Sequence, residues 1–309
     1  MPIMLPPLCL AISLACGTDS AGTSPPYYFY QGLDYGSECL VNPLALILNG
    51  GYGIMQMDNR PNNPFEVEYS AGARNLWHNL RDPIGAVRRF GWSDFIFTEV
   101  IPASTDDERA HYWPNYTQHL IGGGMSYRLM AEWYRFHGFR FPRAAAFATI
   151  WGYHLLNEVV ENGPYEGVNV DPIADIYIFD PISMVLFSSE AVCRFFSERL
   201  NMADWSYQFG FDPWRKEIYN NGQNIALRYR IPGSERYSVF YCYGIHGELG
   251  VSYRRDDGTS ISFGAGLVAK SLTDIGEDSS VRKLTASLVP TAGVFYDRNN
   301  SLMASVLYS

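Results

Sequence analysis

Apolar residues between positions 112 and 205 recur at the spacing that is typical of amphipathic helices. One helical stretch begins at Pro142, which suits a first helical turn, and ends at Gly163, which suits a helix terminus. Two Asp-Pro pairs, at 171–172 and 180–181, predict the starts of a short helix and a longer one. This part of the chain is therefore predicted to form a bundle of about four helices.

After residue 205 the apolar positions alternate with small or polar ones, a period of two that predicts β-strands. The stretch ELGVSYRRDDGTSISFGAGLVAK is a hairpin whose turn holds Asp257 and Gly258. Residues 206–309 are therefore predicted to form an antiparallel meander, with about six strands within 222–309.

The two faces of this meander differ in chemistry. One face is apolar, and the other is small and polar rather than strongly charged. Several strands approach the roughly 9–11 residues of an outer-membrane strand, so the pattern favours apolar residues facing lipid and small residues facing a barrel interior. The alternative is a soluble antiparallel sheet with one wet face.

Residues 41–111 contain short apolar runs separated by turn signals. Phe65, Val67 and Tyr69 alternate with polar residues, which predicts a strand. We predict two to four strands in this segment and a short helix near 81–90. The chain is then an α+β protein, either an antiparallel β-meander or a small outer-membrane-type β-barrel, with the helical bundle inserted and the β parts in one domain.

The first 16 residues hold a short apolar core followed by small residues, a pattern that is typical of an export signal. The tetrad that ends at Cys16 resembles a lipoprotein box, so Cys16 is a candidate for lipid attachment. Two features depart from these patterns. Ser13 stands where a lipoprotein box usually has Leu, and no Lys or Arg precedes Arg60. Residues 17–40, rich in Gly, Ser, Pro and Tyr, are predicted to be a linker.

The composition limits the classes of partner that the chain is expected to bind. The chain has 309 residues and a formal net charge of −9, which argues against nucleic acid because nucleic acid requires a concentrated basic patch. Charged residues are 18% of the chain, below the roughly 25% that is average for soluble domains. Part of the surface is therefore predicted to face membrane lipid, and the predicted location is the cell envelope, in particular the outer membrane. No apolar run reaches the roughly 18 residues of a membrane-spanning helix.

A polar stripe about 100° wide runs along the second predicted helix, at 100° per residue. Its residues are His154, Asn157, Glu158 and Glu161. Apolar residues occupy the same stripe one and two turns earlier, which predicts that the stripe begins inside a packed region. The preceding helix carries His119 near its start, and the short connection makes the two helices antiparallel neighbours. His119 and His154 are therefore predicted to lie at the same end of the pair.

Imidazole and carboxylate side chains at the same end of two neighbouring helices allow three chemistries, and the sequence leaves all three open. They can ligate a divalent metal such as Zn, Fe or Mn. They can act as a general acid and base, because burial raises the pKa of a Glu. They can also form a structural hydrogen-bond network, because buried charge must be paired. The candidate residues for a catalytic role are His119, His154, Glu158, Glu161 and Asp175, and neither a metal nor another cofactor is identified.

Other acidic residues have simpler interpretations. Asp171 and Asp180 precede prolines and are interpreted as helix N-caps. Asp175 lies in the first turn of its helix, where it either favours the helix dipole or reaches the cluster. Glu132 follows Arg128 by four residues, so the two are interpreted as a surface ion pair worth about 0.3–0.5 kcal/mol.

The stretches NYTQHLIGGGMSYRLMAEW, YHLLNEVVENG and VDPIADIYIFDPISMVLFSSE together resemble an uncharacterised family of bacterial cell-envelope proteins. That family shows an Asn-x-x-x-His-x-x-x-Gly segment, a helix ending in Glu-x-x-Glu, and an Asp near a later helix start. The matching positions are Asn115, His119, Gly123, Glu158, Glu161 and Asp175. The resemblance covers about 90 residues with loose motifs. It implies an exported or outer-membrane protein with helices joined to a β part, and it implies no activity.

Three functions follow as hypotheses. The first is an outer-membrane-associated envelope protein with a structural role or a role in binding lipid or another apolar ligand. The alternative is an envelope hydrolase that uses the His and Glu cluster, with or without a metal. The second alternative is a small pore or transporter.

Overall fold

The computed structural model describes residues 26–58, 60, 62–101, 116–274 and 284–309. It confirms an α+β protein, in which helices precede an antiparallel sheet. The predicted export signal, the candidate lipid-attachment residue Cys16 and the resemblance position Asn115 lie outside the described residues.

Helices also occupy the segment that was predicted to be β-rich. They are α1 (Pro43–Gly51), α2 (Tyr69–Arg81), α3 (Pro83–Phe90) and α4 (92–100). The strand prediction for 41–111 is therefore wrong across the described part of that segment. Of the elements predicted there, only the short helix near 81–90 is confirmed. Local capping explains α1, because the Asn42 side chain accepts the N–H of Ala45 and Pro43 follows the cap.

Four more helices follow: α5 (116–136), α6 (Pro142–Asn162), α7 (Asp171–Phe187) and α8 (Glu190–Arg199). Helices α5 and α6 are antiparallel neighbours, and near their connection the Tyr134 hydroxyl lies 2.8 Å from Thr149 Oγ1. Within the described residues no single helix has the length and hydropathy to cross a bilayer, although α7 and α8 meet that test when combined across their 82° bend.

Several of these helices contain a π-helical part. The π-helical parts of α4, α5 and α7 are Phe95–Val100, Tyr116–Gly122 and Asp175–Phe179. A π-helical turn holds one more residue than an α-helical turn, because its hydrogen bonds run from i to i+5. Such turns are frequent at functional sites, and these three carry Glu99, His119 and Asp175.

The strands begin directly after the last helix. They are β1 (Ala203–Asp204), β2 (Gly210–Asp212), β3 (Glu217–Tyr219), β4 (Ile225–Arg230), β5 (Tyr237–Tyr243), β6 (His246–Arg254), β7 (Thr259–Asp274), β8 (Leu284–Arg298) and β9 (Ser301–Tyr308). One antiparallel sheet has the order β1-β4-β5-β6-β7-β8-β9, and β2 pairs with β3. The larger sheet curls into a half-barrel that does not close within the described residues. Of the two predicted forms, the open meander is therefore the one present.

The concave side of the half-barrel is filled. The ring centroid of Trp205 lies 5.7 Å from those of Phe240 and Phe295, and all three rings are buried. Beside them, Arg228 Nη1 donates to Asp297 Oδ2 at 2.6 Å, a buried ion pair. The opposite, convex side carries exposed apolar side chains from β4 to β9.

The segment predicted as a linker is packed in its described part. The Glu132 carboxylate accepts the backbone N–H groups of Tyr28, Phe29 and Tyr30 at 2.8–3.0 Å. Glu132 and Arg128 are both buried, and they form an ion pair of 2.7 Å. The interpretation of this pair as a surface pair is therefore wrong, because the incoming chain covers it.

Candidate functional site

Two histidines and two aspartates alternate in one buried cluster. His154 Nδ1 lies 2.5 Å from Asp180 Oδ2, and Asp180 Oδ1 lies 3.6 Å from His119 Nδ1. The other nitrogen of His119, Nε2, lies 3.1 Å from Asp175 Oδ2. The order is therefore Asp175, His119, Asp180, His154, and the two imidazole centroids are 4.8 Å apart.

Three helices supply these side chains. The antiparallel packing of α5 and α6 brings His119 and His154 to the same end, which confirms their predicted proximity. Gly123, one turn after His119, faces the His154 ring, since a Cβ added there would lie 3.5 Å from His154 Cε1. On α7, Asp175 and Asp180 are five residues apart, which would separate them by about 140° on an α-helix. The π-helical turn between them brings both carboxylates to the side that faces the histidines.

Burial sets the charge states within the cluster. Burial lowers the pKa of His154, and Asp180 only partly offsets that effect, so the imidazole is neutral at pH 7. Burial alone would raise the pKa of Asp180, but His154 and His119 outweigh it and hold that pKa below its usual value. The neutral His154 ring therefore donates its Nδ1 hydrogen to an ionised Asp180.

Asp175 is in a different electrostatic position. Burial raises its pKa well above the usual value, and the neighbouring carboxylates of Asp171 and Glu158 add to that effect. One oxygen each of Glu158, Asp171 and Asp175 lie within 4.8 Å of one another. The cluster thus joins an ionised aspartate to an aspartate that is easily protonated, which is an arrangement found at proton-transfer sites.

A cavity of about 210 Å³ adjoins the cluster. Both histidines line it, and so does Asp175. The other polar residues along its wall include Glu99, Gln118, Asn157, Glu161, Asn169 and Asp171. A molecule in this cavity would therefore meet imidazole nitrogens and carboxylate oxygens together.

The predicted site residues fall into two groups. His119, His154 and Asp175 contact one another directly or through Asp180. Glu158 is buried beside Asp175, whereas Glu161 lines the cavity farther along α6. The catalytic role assigned to all five candidates stays a prediction.

Two residues were misinterpreted from the sequence. The N-cap positions of the two helix starts are Val170 and Phe179, and Asp171 and Asp180 are the residues that follow them, so the interpretation of these aspartates as N-caps is wrong. Asp180 lies at the centre of the cluster, and Asp171 lies at its edge. The spacing Asp175-x4-Asp180 matches the i to i+5 period of a π-helix, but this spacing is informative only once a π-helical turn is known to lie between the two residues. Glu99 was also missed, because it lay in a segment interpreted as strands.

No family model, curated protein or solved structure matches this chain. The resemblance to cell-envelope proteins therefore stays a prediction.

Proposed function

We propose that this protein is an outer-membrane-associated envelope protein whose half-barrel places its convex face against lipid acyl chains. The observation that supports the proposal is that the sheet buries polar side chains on one side and exposes apolar side chains on the other, the reverse of a sheet with one water-facing side. Side chains on the concave side are buried and include polar residues such as Ser252, Ser262 and Glu248. Side chains on the convex side are apolar and exposed, for example Leu249 at 62%, Phe263 at 58% and Val306 at 71% exposure.

The convex residues form continuous rows across the strands. One row, read from β4 to β9, consists of Tyr229, Val239, Val251, Phe263, Val294 and Val306. A soluble monomer rarely exposes a contiguous apolar patch larger than a few hundred Å², and larger patches mark interaction surfaces. The row crosses six strands, so it is an extended band rather than a local patch.

The chemistry of the band fits a lipid surface. The neighbouring row toward one end contains Tyr237, Tyr253 and Tyr296, so tyrosines border the aliphatic row. Along β7 the outward residues run from Ile261 to Leu267, three steps of about 7 Å each, or about 20 Å in all. An outer-membrane strand presents an apolar band about 25 Å tall with aromatic residues at its borders.

Vesicle flotation tests this proposal directly. The full chain carrying Cys16→Ser should float with phosphatidylethanolamine and phosphatidylglycerol vesicles, so that a lipid anchor cannot account for binding. Adding Val251→Lys and Phe263→Lys, which are cross-strand partners, should reduce the partition coefficient at least about tenfold, because a lysine in the band costs about 2–4 kcal/mol near the bilayer midplane.

The matched control places the same substitution on exposed apolar residues outside the sheet. Phe65 is 70% exposed and Val185 is 75% exposed, so Phe65→Lys with Val185→Lys should leave flotation unchanged. Equal losses in both double variants would mean that binding reports general hydrophobicity. No flotation, together with a stable dimer that the sheet variants dissociate, would assign the convex face to a second copy of the chain.

A second candidate function is hydrolysis in the cavity beside the histidines, acting on lipid or peptidoglycan. The observation that favours it is the cluster itself, since a neutral His154 paired with an ionised Asp180 is a common arrangement for a general base. Mass spectrometry of lipid extracts and peptidoglycan incubated with the chain should reveal a released product. Loss of that product in His119→Gln, with His78→Gln unaffected, supports this candidate, and an unchanged product would exclude these residues.

A further inference from the structure

Two buried polar atoms in the cluster face each other without a hydrogen bond. Within the described residues, neither His119 Nδ1 nor Asp180 Oδ1 has a hydrogen-bond partner, and the two atoms are 3.6 Å apart. Asp180 is fully buried, and His154 is nearly so. A buried carboxylate oxygen without a partner costs free energy, so the position of Asp180 Oδ1 indicates a ligand that binds this oxygen.

We propose that His119, His154 and Asp180 bind one divalent transition-metal ion, of which Zn²⁺ is the best fit. Each residue offers a ligand atom within 4.8 Å of the other two. Imidazole nitrogen with carboxylate oxygen is a donor set that zinc, iron and manganese accept, whereas calcium and magnesium prefer oxygen alone. The site uses the cluster of the second candidate function but does not depend on any hydrolytic activity.

The distances are close to those that binding requires. Zinc bonds of about 2.0–2.2 Å in tetrahedral geometry place ligand atoms about 3.3 Å apart. His119 Nδ1 and Asp180 Oδ1 are 3.6 Å apart, which is near that value. His154 Nδ1 and Asp180 Oδ2 are 2.5 Å apart and must separate by less than about 1 Å, and the hydrogen that Nδ1 donates to Asp180 in the metal-free chain must move to Nε2. Gly123 leaves room for this shift, because its side of α5 places no Cβ against the His154 ring.

Asp175 has a separate role in this arrangement. A metal-bound histidine usually donates its other ring N–H to a carboxylate, which fixes the tautomer and the ring orientation. If His119 binds the metal through Nδ1, its Nε2 hydrogen points to Asp175 Oδ2 at 3.1 Å. Asp175 is therefore a positioning residue for His119 and not a ligand.

Three protein ligands leave a fourth position of a tetrahedral zinc site for water or substrate. His119 and His154 both line the cavity of about 210 Å³, so that position is on the cavity side of the cluster. This is the coordination pattern of catalytic zinc sites rather than of structural ones, which are closed by four protein ligands.

Metal titration of the purified full chain tests the site without any activity assay. After treatment with EDTA and dialysis, the chain should bind one Zn²⁺ by calorimetry and one Co²⁺ with visible d–d absorption. His154→Gln and Asp180→Asn should abolish the Co²⁺ spectrum. Asp175→Asn should retain the spectrum and weaken affinity about 10–100-fold, which is the usual effect of a positioning carboxylate.

The controls separate loss of the site from loss of the fold. His78→Gln removes an exposed imidazole on α2 and should leave stoichiometry and affinity unchanged. His119→Gln removes the least buried of the three ligands, so it still tests the site if the other variants unfold. Circular dichroism in EDTA shows which variants are folded. Failure of the wild-type chain to bind either metal at micromolar concentration, or equal binding by folded His119→Gln, would overturn the proposal.

Discussion

The Asp180 carboxylate lies between two imidazoles, with Oδ2 2.5 Å from His154 Nδ1 and Oδ1 facing His119. It is fully buried and belongs to α7, whereas the histidines belong to α5 and α6. One aspartate therefore connects three helices at the level of the cavity. Because a buried charge must be satisfied, this residue contributes to the stability of the fold as well as to the chemistry of the site.

Replacing Asp180 with Asn should destabilise the chain. The variant removes the ionised acceptor of the His154 Nδ1 hydrogen, and a hydrogen bond to a charged group contributes about 1.5–3 kcal/mol. Urea denaturation in the presence of EDTA measures the loss of the free energy of unfolding without any contribution from bound metal. Asp256→Asn is the matched control, because Asp256 forms an exposed ion pair with Arg236 and its loss should leave the midpoint unchanged. Similar midpoints for both variants would contradict the structural role of Asp180.

The histidines could be predicted from the sequence, whereas Asp180 could not. His119 and His154 follow from the α-helical repeat and a short connection, both of which are local properties. Asp180 depends on a π-helical turn, and propensities do not report where such a turn forms. The Asp-Pro pair at 180–181 also matches a capping pattern, so the local signal pointed to the wrong role.

The N-terminal segment shows a different limit. Phe65, Val67 and Tyr69 alternate over only five residues, and Tyr69 is in fact the first residue of α2. Phe65 is exposed, so the alternation does not mark a buried face. The alternation in β6 and β7 extends over longer strands, and there the sequence correctly separated the apolar side from the small polar side. The strand prediction was therefore correct where the alternation extended over a long stretch of the chain, and wrong where it covered only five residues.

Glu38 should make stability depend on pH. Burial raises its pKa to about 6, although its Oε1 accepts the N–H groups of Gln31 and Gly32. Since the folded pKa lies above the ordinary value of 4.5, stability is full below pH 4.5 and falls as pH rises toward 6. Glu38→Gln keeps an acceptor oxygen and should raise the free energy of unfolding by about 2 kcal/mol at pH 8. At pH 4 the variant should match the wild type, and an equal gain at both pH values would mean that ionisation is not the cause.

Glu132 should control attachment of the chain at residues 28–30. Both of its oxygens accept backbone N–H groups, and Oε1 also accepts from Arg128 Nε. Glutamine would turn one oxygen into an NH₂ group that faces N–H donors, so Glu132→Gln should cost about 3 kcal/mol. Limited chymotrypsin digestion should then cut at Tyr28 to Tyr30 faster than in the wild type. Glu198→Gln removes an exposed carboxylate and should not change that cleavage rate.

Two adjacent glycines on α5 should respond in opposite ways to alanine. A Cβ at Gly124 would lie 2.2 Å from Cδ2 of Phe187, a fully buried ring that cannot easily move. A Cβ at Gly123 would make only ordinary contact with His154 at 3.5 Å.

Gly124→Ala should therefore lower the free energy of unfolding by about 1–3 kcal/mol through overpacking. Gly123→Ala should be neutral or stabilising by up to about 1 kcal/mol, because alanine has the higher helix propensity. Thermal denaturation of both variants compares them directly. If Gly123→Ala were the more damaging, the close approach would lie between α5 and α6 at the histidines, whereas the opposite order places it between α5 and α7 at Phe187.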